Sequence, residues 1–293
     1  MHTYKLNKLL LLVILLFTST LSNAEYPLPE VRNAQRIVAL SPHSVELLYA
    51  LGVGDRIIGT TEFADYPEAA NKIERVGGYH GIQTERILEL EPDLIVAWEG
   101  GNKAEDLNML ESLKLPVYRS ETKRLRQITQ EIKALGILTG TEVKASALIQ
   151  SFHSELDKLT EMHKGKAKVT FFYQLWSVPL RTISTGSWIN EMLTICGGEN
   201  IINDPKLDYP QISLETVLLN EPQAIIIPAN HGHDDKVNGE TGTGLDWKKW
   251  PEIPAVKNDH IYRINGDILH RFSLRVIEAT QVLCKTFDGI RAG

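Results

Sequence analysis

Residues 85–98 (Glu-Arg-Ile-Leu-Glu-Leu-Glu-Pro-Asp-Leu-Ile-Val-Ala-Trp) and 215–228 (Glu-Thr-Val-Leu-Leu-Asn-Glu-Pro-Gln-Ala-Ile-Ile-Ile-Pro) match at an offset of 130. The leading glutamate, a leucine, the Glu-Pro pair and an isoleucine coincide. Each copy reads as a short helix, a proline that cannot continue it, and an apolar run of buried-strand type. Glu-Pro between helix and strand is common punctuation, yet the other shared positions favour true repetition. A helix–strand unit used twice commits the chain to two related α/β halves.

The flanking sequence fits that division. Residues 36–40, 56–59, 94–98 and 116–118 read as strands, and residues 46–51, 84–90 and 104–113 read as helices. Such βαβα alternation implies parallel sheets covered by helices. Between the halves, Val143, Ala147, Leu148, Phe152, Leu156 and Leu159 recur at helical spacing, without a proline, until Gly165. At 1.5 Å per residue this helix would be about 33–36 Å long. The expected fold class is α/β, with two pseudo-symmetric lobes of parallel sheet joined by one long connecting helix. Residues 25–139 would form the first lobe, 140–165 the connecting helix and 166–293 the second lobe.

The amino terminus reads as a cleaved secretory signal over residues 1–24. Lys5 and Lys8 precede the apolar run Leu9 to Phe17, and Ser22-Asn23-Ala24 supplies small residues for a peptidase. Nine apolar residues fall short of the roughly 20 that span a bilayer, and no cysteine lies nearby to take a lipid. The periplasm is therefore the expected location. Removing this segment deletes two lysines and no acid, so net charge moves from −6 to −8. That balance argues against nucleic acid, which requires clustered basic charge. In an exported chain, two cysteines, Cys196 and Cys284, suggest one disulfide. Closing a loop of roughly 90 residues would stabilise the fold by about 4–5 kcal/mol in the chain-entropy model.

No catalytic constellation is found. The sequence lacks a P-loop, a Gly-x-Ser-x-Gly elbow and a His-Glu-x-x-His helix. The glycines between Gly239 and Gly244 follow no strand, and His231-x-His233-Asp234-Asp235 reads as a solvated turn rather than a metal site. A non-enzymatic binding protein is the expectation, and ligands of parallel α/β lobes meet the loops beyond the strands' carboxyl ends. Those loops are aromatic here: Phe63-Ala64-Asp65-Tyr66-Pro67, Gly77-Gly78-Tyr79-His80-Gly81, Trp98-Glu99-Gly100-Gly101-Asn102, Leu175-Trp176 and Tyr209-Pro210. Singly, each aromatic is more often packing. Together at matched strand ends they point to a broad, flat, largely apolar ligand.

At these loops the sequence resembles the periplasmic cobalamin-binding proteins, within the helical-backbone (class III) solute-binding family. The resemblance spans nearly all of the mature chain. It is carried by Asp65-Tyr66-Pro67, the Trp98-x-Gly100-Gly101-Asn102 segment, Cys196-Gly197-Gly198-Glu199-Asn200, Tyr209-Pro210-Gln211 and Leu283-Cys284. It implies cobalamin held between the lobes as transported ligand, with no cofactor. Tyr66 and Trp98 match ligand-contacting aromatics of the family. Tyr79 and Tyr209 stand where close relatives carry tryptophan. Asp267 and Arg271 match a polar pair lining the cleft, and Ile268 replaces a tryptophan expected beside them. Cys196 and Cys284 match the family disulfide. Glu85 and Glu215, at equivalent helix starts, match the glutamates that dock onto arginines of an ABC importer's permease, which works with its ATPase. Helix-dipole complementation gives both glutamates a local role as well. A monomer is expected, with small closure on binding because one helix joins the lobes. Two other cargoes suit the same fold. Haem would use Tyr79, Tyr66 or His80 on iron, and an anionic siderophore would use Arg181 and Arg271.

Overall fold

The computed structural model describes residues 28–78, 80–229 and 245–293. The expected signal segment, Tyr79, the His231–His233 turn and the glycines 239–244 lie outside the described residues. In chain order the first half contains β1 (Ile37–Ala39), α1 (Pro42–Ala50), β2 (Ile57–Thr60), β3 (Gly77–Gly78), β4 (Gly81–Ile82) and α2 (Thr84–Glu89). β5 (Leu94–Trp98), α3 (Ala104–Ser112), β6 (Val117–Ser120) and α4 (Ile128–Thr139) complete it, and α5 (Glu142–His163) follows. The second half contains β7 (Val169–Tyr173), β8 (Trp176–Ser177), β9 (Leu180–Arg181), α6 (Trp188–Ile195), β10 (Gly198–Asn200), α7 (Leu214–Asn220) and β11 (Ala224–Ala229). It ends with α8 (Pro254–Lys257), β12 (Ile261–Asn265), α9 (Gly266–His270) and α10 (Val276–Ala292).

Both halves build one four-stranded parallel sheet, ordered β2-β1-β5-β6 and β10-β7-β11-β12. Reading β7 for β1, β10 for β2, β11 for β5 and β12 for β6 gives the same order, so the repeated segments occupy equivalent places. Each copy is a short helix (α2, α7) leading to the third strand of its sheet (β5, β11). The likeness extends to the backbone. Glu91 and Glu221, the residues before each proline, both sit at positive φ, 47° and 42°. A left-handed residue after a helix, followed by proline, turns the chain sharply into the strand.

Side-chain alternation along the strands divides the interior. Ile37 and Ala39 of β1, Leu94 and Val96 of β5, Phe171 and Tyr173 of β7, and Ala224 and Ile226 of β11 all belong to one large core. The intervening residues face outward to two smaller cores, Val38, Ile95 and Ala97 in the first lobe and Phe172, Ile225 and Ile227 in the second. Period-two burial of this kind is what a sheet covered on both faces requires. The large core also takes Ala145, Phe152 and Leu156 from α5. The connecting helix thus shares one apolar interior with both sheets. α4 packs closely on α5: a Cβ at Gly136 would lie 2.6 Å from Ala145 Cβ. The Cys196–Cys284 disulfide joins the end of α6 to α10. Among the described residues no helix is long and apolar enough to cross a membrane.

Candidate binding cleft between the lobes

The carboxyl ends of both sheets meet at the segment between α9 and α10, residues 271–275. Arg271 lies there, buried among three carboxylates. Its guanidinium donates to Glu46 Oε1 at 3.0 Å, Asp65 Oδ1 at 2.8 Å and Asp267 Oδ1 at 2.8 Å. Glu46 and Asp65 come from the first lobe, Arg271 and Asp267 from the second. Glu46, on α1, also accepts from Ser273 Oγ at 2.5 Å and from Arg275 at 3.0 and 2.5 Å. Burial alone would lower the Arg271 pKa, but the bonds to Asp65 and Glu46 raise it above its ordinary value. The Arg275 guanidinium lies over the Tyr66 ring, 4.0 Å from its centre, a cation–π contact that again crosses the lobes.

Beside this network runs a floor of rings. Trp98 meets His43 edge-on at 5.2 Å, His43 meets Phe272 at 6.1 Å, and Phe272 packs against Trp188 at 4.2 Å. Burial, with a smaller contribution from the Arg271 charge, pushes His43 down to about 3, so it is a neutral ring. Tyr209 lies beside Ser187 and Trp188 at the start of α6; burial raises its pKa, and these two neighbours oppose the rise. Below lies Tyr173, whose hydroxyl is 2.8 Å from His270 Nε2, and burial holds that histidine at about 4.

The Trp98-x-Gly-Gly-Asn segment now has a physical reason. Asn102 Oδ1 accepts from Trp98 N at 2.7 Å while its Nδ2 donates to Leu40 O at 2.9 Å, tying β5 to the end of β1. Gly100 takes φ +85°, and a Cβ on Gly101 would fall 1.9 Å from the Trp98 indole. Only a residue without a side chain lets the turn lie flat beneath the ring. The indole is thereby fixed in place before any ligand arrives.

The periplasmic binding protein family matches this chain over residues 37–268. The chain belongs to that family. A vitamin B12-binding protein of Vibrio campbellii is 36% identical over 258 residues, covering 88% of this chain and 91% of that protein. The crystal structure of a periplasmic vitamin B12-binding protein of Vibrio cholerae superposes with a TM-score of 0.78 at 34% identity, covering 89% of this chain and 99% of that one. A periplasmic heme-binding protein of Roseiflexus superposes with a TM-score of 0.76 at 20% identity, covering 88% and 99%, and shares the fold. The family is one of binding proteins, not enzymes, and so is this chain.

Within this periplasmic binding protein, the residues singled out from sequence fall as follows. Tyr66 and Tyr209 are 47% and 41% exposed, and Trp98 is half-buried; none is sealed in a core. Trp98 and Tyr209 are linked through the ring floor, and Tyr66 joins Arg271 and Asp267 through Arg275 and Glu46. Residue 79 follows β3 and precedes β4, but it lies outside the described residues. Glu85 and Glu215 are both exposed in the first turns of α2 and α7. The Glu215 backbone N–H and the Ser213 hydroxyl hold the Glu215 carboxyl below its usual range. Sequence reasoning missed Glu46, Ser273 and Arg275, and it named neither His43 nor Trp188. A cavity of about 550 Å³ lies elsewhere, between the end of α5 and α6; its lining includes Leu156, His163, Lys168 and Asn190 but no Phe, Tyr or Trp.

Proposed function

We propose that this protein captures cobalamin in the cleft between its lobes and presents it to the permease of an ABC importer. The ring floor that links Trp98 to Tyr209 across both lobes carries the reading. It offers a wide apolar face, while the two guanidiniums beside it, Arg271 and Arg275, are already matched by carboxylates. A macrocycle fringed with neutral amides suits such a floor. Haem, with two carboxylates, and a multiply anionic siderophore would each need more than one free cation there, and Arg181 is the single unpaired arginine among the described residues. The B12-binding relatives at 34–36% identity support the same cargo.

In this reading Tyr66, Tyr79, Trp98 and Tyr209 contact the corrin, while Asp267 and Arg271 hold the cleft floor. Glu85 and Glu215, one carboxylate per lobe, dock onto basic residues of the permease, setting orientation and association rate. Residues 1–24 direct export and are removed, and the mature chain works in the periplasm as a monomer. Calorimetric titration with cyanocobalamin, haemin and a ferric siderophore tests the assignment. Cyanocobalamin is expected to bind at micromolar concentration or below. A Soret shift with haemin that disappears in Tyr66→Phe or Tyr79→Phe, without cobalamin binding, would replace it with haem carriage.

A further inference from the structure

Beyond β7 the second lobe carries a small antiparallel ribbon. In β8 and β9, Trp176 pairs with Arg181 and Ser177 with Leu180. Arg181 also bridges Gln211 on its other side. Bonds from Ile212 N to Leu180 O, Thr182 N to Pro210 O and Ser184 N to Asp208 O keep that register through the segment before α7. Residues paired across antiparallel strands project to the same side. Trp176, Arg181 and Gln211 therefore form one face, and the register sets Tyr209 opposite Ile183 on that same face. Within the ribbon itself burial follows the alternation, and further along the same face Ile183 is buried in the large core. Ser177, Leu180 and Thr182 are buried, while Trp176, Arg181 and Gln211 are exposed.

Two features of this face point to a ligand. Trp176 is 46% exposed, and its indole N–H is already taken by the Val178 carbonyl at 2.9 Å, so the ring is oriented with its polar edge satisfied. Among the described residues, Arg181 is the one arginine whose guanidinium has no hydrogen-bond or ion-pair partner. A fixed aromatic surface beside an unmatched guanidinium and an amide suits a ring joined to a single anion. Cobalamin has one such part: a phosphodiester that joins a corrin side chain to a ribose and an aromatic base. Arg271 cannot serve that phosphate, because three carboxylates already occupy it.

We propose that Trp176, Arg181 and Gln211 form a specificity surface that reads this nucleotide arm. Arg181 pairs with the phosphate, Gln211 hydrogen-bonds beside it, and Trp176 lies against the apolar part of the arm. The inference rests on cobalamin being the cargo, and the test separates the two ideas. Wild type, Arg181→Ala and Trp176→Ala are titrated with cyanocobalamin and with dicyanocobinamide, which keeps the corrin but lacks phosphate, ribose and base. Urea midpoints serve as folding controls, and Arg181→Ala should leave the midpoint unchanged because the side chain is exposed and unpaired. Wild type is expected to bind cyanocobalamin at least tenfold more tightly than dicyanocobinamide. Each variant is expected to lose about tenfold for cyanocobalamin and less than twofold for dicyanocobinamide. Equal losses on both ligands, or none on either, would overturn the specificity surface while leaving cobalamin carriage intact. Wild type binding neither corrinoid would overturn both.

Discussion

The two lobes share a strand order but bring opposite chemistry to the place where they meet. The first lobe offers Glu46 and Asp65, the second Arg271 and Arg275, and only Asp267 breaks the division. Nothing in the repeated segments encodes this. The common frame sets where strand ends point, and the residues that differ between the halves decide what the facing ends do to each other. A symmetric scaffold thereby becomes a single receptor with a defined groove, held without ligand by charges on either side of it.

The largest expected effect would break that comparison directly. Glu46→Ala leaves Arg275 without its carboxylate and Arg271 with Asp65 and Asp267 alone, and removing one member of a buried ion pair costs about 3–5 kcal/mol. Urea unfolding should show this loss; one below about 1 kcal/mol would mean that opposite charge does not hold the lobes.

The next effect comes from titration, where the first lobe adds a buried carboxyl to the buried histidines, His43 and His270, that both lobes carry. In the first, Glu131 is buried without a cationic partner and accepts from Thr122 at 2.9 Å, and burial lifts its pKa to about 7. The folded state therefore binds this proton more tightly than the unfolded one. Its contribution is complete below the unfolded value of 4.5 and is lost as pH rises to about 7. Glu131→Gln should remove the dependence, the two stability curves separating by about 3 kcal/mol by pH 8. In the second lobe His270, lowered to about 4, acts in the opposite sense, its contribution present above 6.5 and lost as pH falls towards 4. Parallel curves for wild type and Glu131→Gln would refute the first of these assignments.

A smaller effect sharpens the comparison at the groove. Trp98→Ala should weaken cobalamin binding by about 2 kcal/mol, roughly thirtyfold, as loss of a central aromatic anchor does. Tyr209→Phe keeps the ring and should change affinity less than threefold. Both are read by calorimetry. Smallest of all are the effects expected at Glu85 and Glu215, the two glutamates proposed to dock onto a permease. Glu85→Ala and Glu215→Ala should each reduce association with permease-containing vesicles by about 1 kcal/mol or less, leaving cobalamin affinity unchanged. Unequal losses would show that the partner tells the lobes apart.

Much of the fold was legible because it rests on local, periodic signals. The repeat fixed the equivalence of β5 and β11, and the 22 residues of α5 stood out as one uninterrupted amphipathic pattern. The aromatic strand ends were equally visible, as was the Trp-x-Gly-Gly-Asn turn, although its reason, the glycine beneath the indole, needed coordinates. The charge network was not legible. Glu46 and Arg271 are separated by 225 residues, and within α1 Glu46 looks like any solvated helix glutamate. The ribbon of β8 and β9 escaped too, since strands of two residues are too short to show a period. Trp176 and Arg181 were noted there one at a time, and only the pairing puts them on one face.

The apolar interior that passes from one sheet through Phe152 and Leu156 into the other has a consequence for how the molecule comes apart. Neither half owns a complete set of neighbours, so melting should be a single cooperative event with one calorimetric peak. Fragments severed within the helix would fold only when recombined.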